Sequence, residues 1–149
     1  MSILVLWEEG FPFVDTCAVT KEDLLGLGTE SKPVQFLSIV EMQSALSDRG
    51  ALFVNPYGSA FPKPLWSAFY DFVNDGGCWL NLGGAPLKNP ARPTKSGGWS
   101  VEVNQTGYSK QLLINQAFPL ETPQGAEHRF VGAWQEKNED LSLPKYANW

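Results

Sequence analysis

The chain has 149 residues, 43% of them hydrophobic and 18% charged, with a formal net charge of −5. That length suits one folded domain with a genuine core, and the composition is that of an ordered globular protein and does not suggest disorder. Lys and Arg are scattered singly against the net negative charge, which excludes a general phosphate-backbone binder, because counterion release needs clustered cations.

Residues 3–7 form a continuous apolar run closed by Glu8, Glu9 and Gly10, which predicts a strand buried on both faces. This start has no basic segment and no small-residue cleavage site, so it is a first strand and not a signal peptide. The compartment stays open, since a periplasmic or extracellular location would require a signal segment removed upstream. No apolar stretch approaches the length of a membrane span, and no membrane partner is expected. Residues 11–15 have loop character. Thr20 then stands as N-cap before Lys21, Glu22, Asp23, Leu24 and Leu25, with acidic residues in the first turn, and Gly26 and Gly28 end that helix early.

Residues 33–37 are the second strand. Ser38 and Glu41 have the spacing of a capping box, with Leu37 and Met42 placed as the hydrophobic staple. That helix is expected to run to about Arg49, with Gly50 as its left-handed stop. Residues 51–54 are the third strand, followed by a loop over 55–62. Pro64 suits a first helical turn, and Leu65, Trp66, Phe69, Phe72 and Val73 then recur on one helical face. Gly76 and Gly77 stop this helix, and residues 78–82 form the fourth strand, closed by Gly83 and Gly84.

Beyond this point the pattern weakens. Residues 88–98 are rich in Pro, Gly and Lys, which predicts a long surface loop. Residues 99–103 alternate like a strand with one exposed face, and residues 111–114 suit a short helix. From Phe118 onward the chain is mostly polar, with one strand-like patch at 129–134. Strands alternating with capped helices imply βαβ units and a mostly parallel sheet. The expected fold is α/β, a flavodoxin-like three-layer sandwich over residues 1–120. An irregular C-terminal extension over 121–149 is expected to lead to a further domain.

In such sheets ligands sit beyond the carboxyl ends of the strands, at a topological switch point. Three segments should meet there, and they supply the candidate ligand-binding residues Glu8, Asn55, Tyr57, Ser59, Asn81, Gly83 and Gly84. The alternative role for the polar ones is to stabilise turns through side-chain to backbone hydrogen bonds. Glu8 and Glu9 are adjacent and would face opposite sides of a strand, which does not suit paired carboxylate chemistry. Asp15 is a conceivable partner for Glu8. Gly83-Gly84 lacks the spacing of a nucleotide fingerprint. Cys17 and Cys78 are too few and too far apart for a disulfide framework or a zinc site. No metal site and no cofactor are expected. The six Trp residues are assigned to packing, with a sugar-stacking or partner surface as the alternative.

The stretch from Phe72 through Gly76-Gly77, Cys78 and Leu82 to Gly83-Gly84-Ala85 resembles the helix, glycine turn, strand and elbow of class I glutamine amidotransferase-like domains. The loop over residues 55–62 and the Gly97-Gly98-Trp99 segment resemble accessory regions of bacterial glycoside hydrolase-like proteins. Active amidotransferases carry a Cys directly before the elbow glycines, on a sharp turn that aligns an oxyanion hole. Here that position is Leu82, and Cys78 lies at the other end of the strand, about 13 Å away at strand rise. Those enzymes also place a His, usually with Glu two residues later, after a late strand; the sole His is His128, followed by Arg129 and Phe130. The resemblance therefore implies a domain with no catalytic residue. It is expected to be an accessory or oligomerisation module of a larger carbohydrate-processing protein, contacting a neighbouring domain or a second copy through exposed aromatics. The alternative is binding or hydrolysis of a carbohydrate or other small ligand in the crevice.

Overall fold

A computed structural model describes residues 2–103 and 105–114 of the chain. Strands β1 (Ile3–Leu6), β2 (Val34–Leu37), β3 (Leu52–Asn55) and β5 (Cys78–Asn81) form one four-stranded sheet in the order β2-β1-β3-β5. All three pairings are parallel, as four short apolar runs separated by helices require. Period-two alternation then sorts their side chains into two layers. Leu4, Leu6 and Phe53, with the half-buried Trp79, face one core with α2 (Ile39–Ala45), the 3-10 turn Lys63–Leu65 and α3 (Trp66–Asn74). Ile3, Val5 and Val54 face the other, smaller core, where α1 (Lys21–Leu25) contributes Leu24. The result is a parallel α/β sheet with helices on both faces.

The helix starts follow their local signals. Thr20 accepts from the Asp23 amide at 3.2 Å, and Asp23 accepts from the Thr20 amide at 2.8 Å. Ser38 and Glu41 make the same reciprocal pair, at 3.4 and 2.8 Å, and their staple partners Leu37 and Met42 join the larger core. Hydrogen bonding holds the Asp23 and Glu41 carboxyls below their ordinary range, through Thr20 in one case and Ser38 in the other.

The stops differ from expectation at one helix. α2 ends at Ala45 with Leu46 as its cap, still right-handed and buried. Gly50 is not the left-handed stop; the helix closes a turn earlier, where the bonds tighten to i→i+3, from the Ser47 amide to the Ser44 carbonyl and from the Asp48 amide to the Ala45 carbonyl, at 3.3 and 3.0 Å. After α3, Gly76 does adopt φ +89. Gly77 serves a different need, since a Cβ there would sit 2.5 Å from the buried Phe72 ring.

A second sheet, not expected from the sequence, lies beyond β3. It consists of β4 (Ala60–Pro62), β6 (Asn89–Pro93) and β7 (Trp99–Val101), in the order β4-β6-β7. Residues 88–98 are therefore not all surface loop: Asn89, Pro90 and Ala91 are buried, and β6 is the central strand. Proline is tolerated there because Pro90 uses only its carbonyl, which accepts from the Glu102 amide at 2.8 Å, at the end of the β6–β7 ladder. Lys63 and Arg92 both pair with Glu102 on the outer side. The last described helix, α4 (Gly107–Gln111), starts earlier than the expected 111–114.

These elements belong to one compact unit, Met1–Ile114. The expected boundary at 120, the extension over 121–149, the strand-like patch at 129–134 and His128 lie outside the described residues. Among the described residues no helix is long and apolar enough to cross a membrane.

Candidate functional site

The sheet reverses its order between β1 and β3, so the switch-point crevice lies between Trp7-Glu8 and residues 55–59. Tyr57 closes it. This residue is 1% exposed; its hydroxyl accepts from the Glu8 amide at 2.7 Å and donates to the Glu8 carbonyl at 3.2 Å. Its ring packs against Phe11 and Phe13, with centroids 4.6 and 4.9 Å away, and Phe11 continues to Trp99 at 4.7 Å. Phe11 and Phe13 of the residue 11–13 loop thus form an aromatic plug on Tyr57 at the carboxyl end of the sheet, the end at which open α/β sheets bind ligands. Glu8 is turned away from it, its carboxylate accepting from the Ile39 amide at the start of α2, at 3.0 Å.

Next to the plug, two asparagines cross-link the ends of β3 and β5, which the register places side by side. The Asn55 amide nitrogen donates to the Ala60 carbonyl at 2.9 Å and to Asn81 Oδ1 at 2.8 Å. Its oxygen accepts from the Tyr57 amide at 3.3 Å. Asn81 in turn donates to the Gly58 and Gly83 carbonyls at 2.9 and 2.7 Å. The chain must leave β3 and turn at once into β4, and these bonds satisfy backbone groups that the turn strands away from water.

A third cluster fastens the residue 11–17 loop. Val14 and Gly58 form a parallel bridge, and the Ser59 amide donates to the Val14 carbonyl at 2.9 Å. The fully buried Ser59 hydroxyl donates to Asp15 Oδ2 at 2.7 Å and accepts from Asn89 at 2.6 Å. Asp15 itself is exposed, with φ +56, in the left-handed region. The glycines supply the close approaches that this packing demands. A Cβ on Gly83 would lie 2.4 Å from Thr16 Oγ1, one on Gly84 2.6 Å from the Ser59 nitrogen, and one on Gly58 2.1 Å from the Val14 carbonyl oxygen.

All seven sequence-predicted residues therefore lie at the carboxyl ends of the strands. Asn55, Tyr57, Ser59, Asn81, Gly83 and Gly84 come together, and Glu8 joins them through its backbone only. Asp15 goes to Ser59 and Asn89, not to a carboxylate pair with Glu8. Asn89 was missed, hidden in a stretch of Pro and Lys that suggests surface loop. Leu82, directly before the glycine pair, packs into the smaller core, and the Gly83-Gly84 turn leads to β6, with no intervening helix. Cys17 and Cys78 are both free and exposed. Among the described residues no group of His, Cys, Asp and Glu could hold a metal ion. A cavity of about 10 Å³, lined by Asn55, Phe61, Trp79 and Leu87 among others, lies behind the cross-link; it has room for about one water.

The expected exposed aromatics are not found among the described residues. Trp7, Trp66, Trp79 and Trp99 are all partly buried and each touches another ring. Lys21 covers the Trp7 and Phe36 rings, 5.7 and 5.3 Å from their centroids. The exposed large hydrophobics are aliphatic: Leu25, Leu27, Val40, Leu80, Val103 and Leu113.

Burial pushes the Tyr57 phenol up to about 12, and the nearby Glu8 charge adds to this, while the hydrogen bond to the Glu8 backbone opposes it. The folded state thus holds the proton more tightly than the unfolded chain. The stability this supplies is complete below the ordinary phenol value of 10.0 and is lost as pH rises from there through about 12. Tyr57→Phe should cost about 1–2 kcal/mol at neutral pH, because the Glu8 amide loses its acceptor while the Glu8 carbonyl keeps only the Phe11 amide. It should also remove that part of the alkaline loss. Urea melts at neutral pH and above pH 10 check both; parallel pH profiles for the two proteins would refute the assignment.

Comparison with protein-family models, with curated proteins and with solved structures finds no match for the chain.

Proposed function

We propose that this domain is a non-catalytic, flavodoxin-like accessory module of a larger carbohydrate-processing protein, serving assembly instead of chemistry. The observation that carries the reading is the inward commitment of the crevice: its polar side chains bond to the chain's own backbone, and Tyr57 bridges the switch point. The strand order β2-β1-β3-β5 supports the flavodoxin-like part. The amidotransferase-like and carbohydrate parts rest on the resemblance of the residue 72–85 and 55–62 stretches, with Leu82 in place of the nucleophile.

Covalent acyl transfer needs a protein nucleophile that substrate can touch. Ser59 is fully buried, Leu82 has no reactive atom, and among the described residues neither exposed cysteine, Cys17 or Cys78, is hydrogen-bonded to a base. The domain is therefore expected to release no ammonia from glutamine. In a thermal-shift screen it should show no response to mono- and oligosaccharides, whereas a ligand at 100 times its Kd would add about 2.7 kcal/mol. One group at the crevice mouth favours the second reading, a small polyol held there: Asp15, exposed and in a backbone conformation that costs energy for a non-glycine residue. A saturable sugar shift that disappears in Asp15→Asn would establish that reading and overturn the first.

A further inference from the structure

We propose that β5 is an assembly edge whose occupant is β5 of a second copy, paired antiparallel about a two-fold axis at Leu80. This rests on the reading of the domain as an assembly module and identifies the surface it uses.

The four-stranded sheet has two edges, and they are built differently. β2 is preceded by Lys32 and Pro33, the residue types that discourage strand addition, and α1 packs against it. β5 is Cys78-Trp79-Leu80-Asn81, without charge or proline, and its ladder with β3 runs unbroken. It is as short as β2 but carries no charge, proline or bulge to protect its edge. Among the described residues no strand pairs with its outer side.

Backbone groups alternate along a strand. The Leu82 amide donates to the Asn55 carbonyl at 2.9 Å, so Leu82, Leu80 and Cys78 turn their backbone toward β3. Trp79 and Asn81 therefore present N–H and C=O outward, ready for a neighbouring strand. On the side of the smaller core, Cys78 is exposed and Leu80 is 36% exposed, so an apolar strip adjoins the open edge.

A two-fold axis normal to the sheet joins like faces. Centred on Leu80, it sets Trp79 opposite the second copy's Asn81, and these outward residues exchange paired hydrogen bonds. Leu80 then meets its own counterpart in the non-hydrogen-bonded position, where side chains approach most closely, about 4.5 Å between Cα atoms. Cys78 lies opposite the counterpart of Leu82. A second copy fits better than a charged foreign strand for two reasons. The edge offers no charge for a partner to read, and self-pairing opposes no like charges in a chain that carries −5 overall. An isologous contact also needs only this one surface.

The test uses the full chain. Light scattering across a wide dilution series should give a dimer that Leu80→Lys weakens at least about tenfold, with the circular dichroism spectrum unchanged. A Leu80→Cys variant lacking Cys17 and Cys78 (both changed to Ser) should oxidise to a covalent dimer, because the paired Cα spacing suits a disulfide. A wild-type monomer at every concentration, a dimer indifferent to Leu80→Lys, or a folded Leu80→Cys protein that does not cross-link would overturn the proposal. Sugar binding or glutaminase activity would instead remove the functional reading and leave these results standing.

Discussion

Gly58→Ala is expected to destabilise the domain by about 3–4 kcal/mol, a large effect for the addition of one methyl group. Two costs add there. Gly58 has φ +68, a conformation that disfavours a Cβ, and the new atom would lie 2.1 Å from the Val14 carbonyl oxygen. That oxygen is backbone, tied to the Ser59 amide, so it cannot rotate away. The residue 11–17 loop would have to lift, taking the aromatic plug and the Asp15–Ser59 bond with it. Gly10 is the internal control: its φ is +70, yet nothing lies within 4 Å of the place a methyl group would take. Gly10→Ala should therefore cost only about 1 kcal/mol. Urea midpoints of the two variants measure the difference, and equal midpoints would show that the close approach of loop to turn carries no weight.

The second large effect is expected at Asn55. Asn55→Ala removes donors to the Ala60 carbonyl and Asn81 and an acceptor for the Tyr57 amide, in a place that is 1% exposed. Buried partners left unpaired cost about 1–3 kcal/mol each, and part of this is recovered when Asn81 and the turn relax, so about 3 kcal/mol is expected overall. Asn55→Asp should cost more than alanine, because a carboxylate would face the carbonyl oxygens of Gly58 and Ala60. A double-mutant cycle with Asn81→Ala should return a coupling of at least about 1 kcal/mol. Additive losses would mean that the two side chains brace their turns independently. Both variants are expected to affect stability with no gain or loss of sugar binding, which separates a brace from a binding site.

The fold was legible where the determinants were local. The apolar runs at β1 and β3, the Thr20 and Ser38 caps and the Gly76 stop each specify an element within a few residues, and each is found. So is the meeting of residues 55–59 with residues 81–84, since it follows from parallel pairing of β3 with β5. Of the second sheet only β7 was legible, in the alternation over residues 99–103. β6 contains two prolines and no alternation, and it exists because β4 and β7 supply partners from about 30 residues upstream and 10 downstream in the sequence. The end of α2 differs too: a tightened turn of i→i+3 bonds after Leu46, and not a glycine, ends the helix.

By itself the sequence determined the parallel sheet, its capped helices and the absence of a sulfur before Gly83-Gly84, because strand period, capping chemistry and residue identity are properties of short segments. Only the tertiary structure decided what the crevice residues do. An asparagine or tyrosine at the end of a strand can equally well face a ligand or the chain, and the outcome depends on which loop arrives opposite it. Here the residue 11–17 loop, more than 40 residues away in sequence from Tyr57 and Ser59, brings Phe11 and Phe13 against the Tyr57 ring and the Val14 carbonyl to the Ser59 amide. Once those groups are in place, burial leaves internal hydrogen bonding as the low-energy state of the polar cluster.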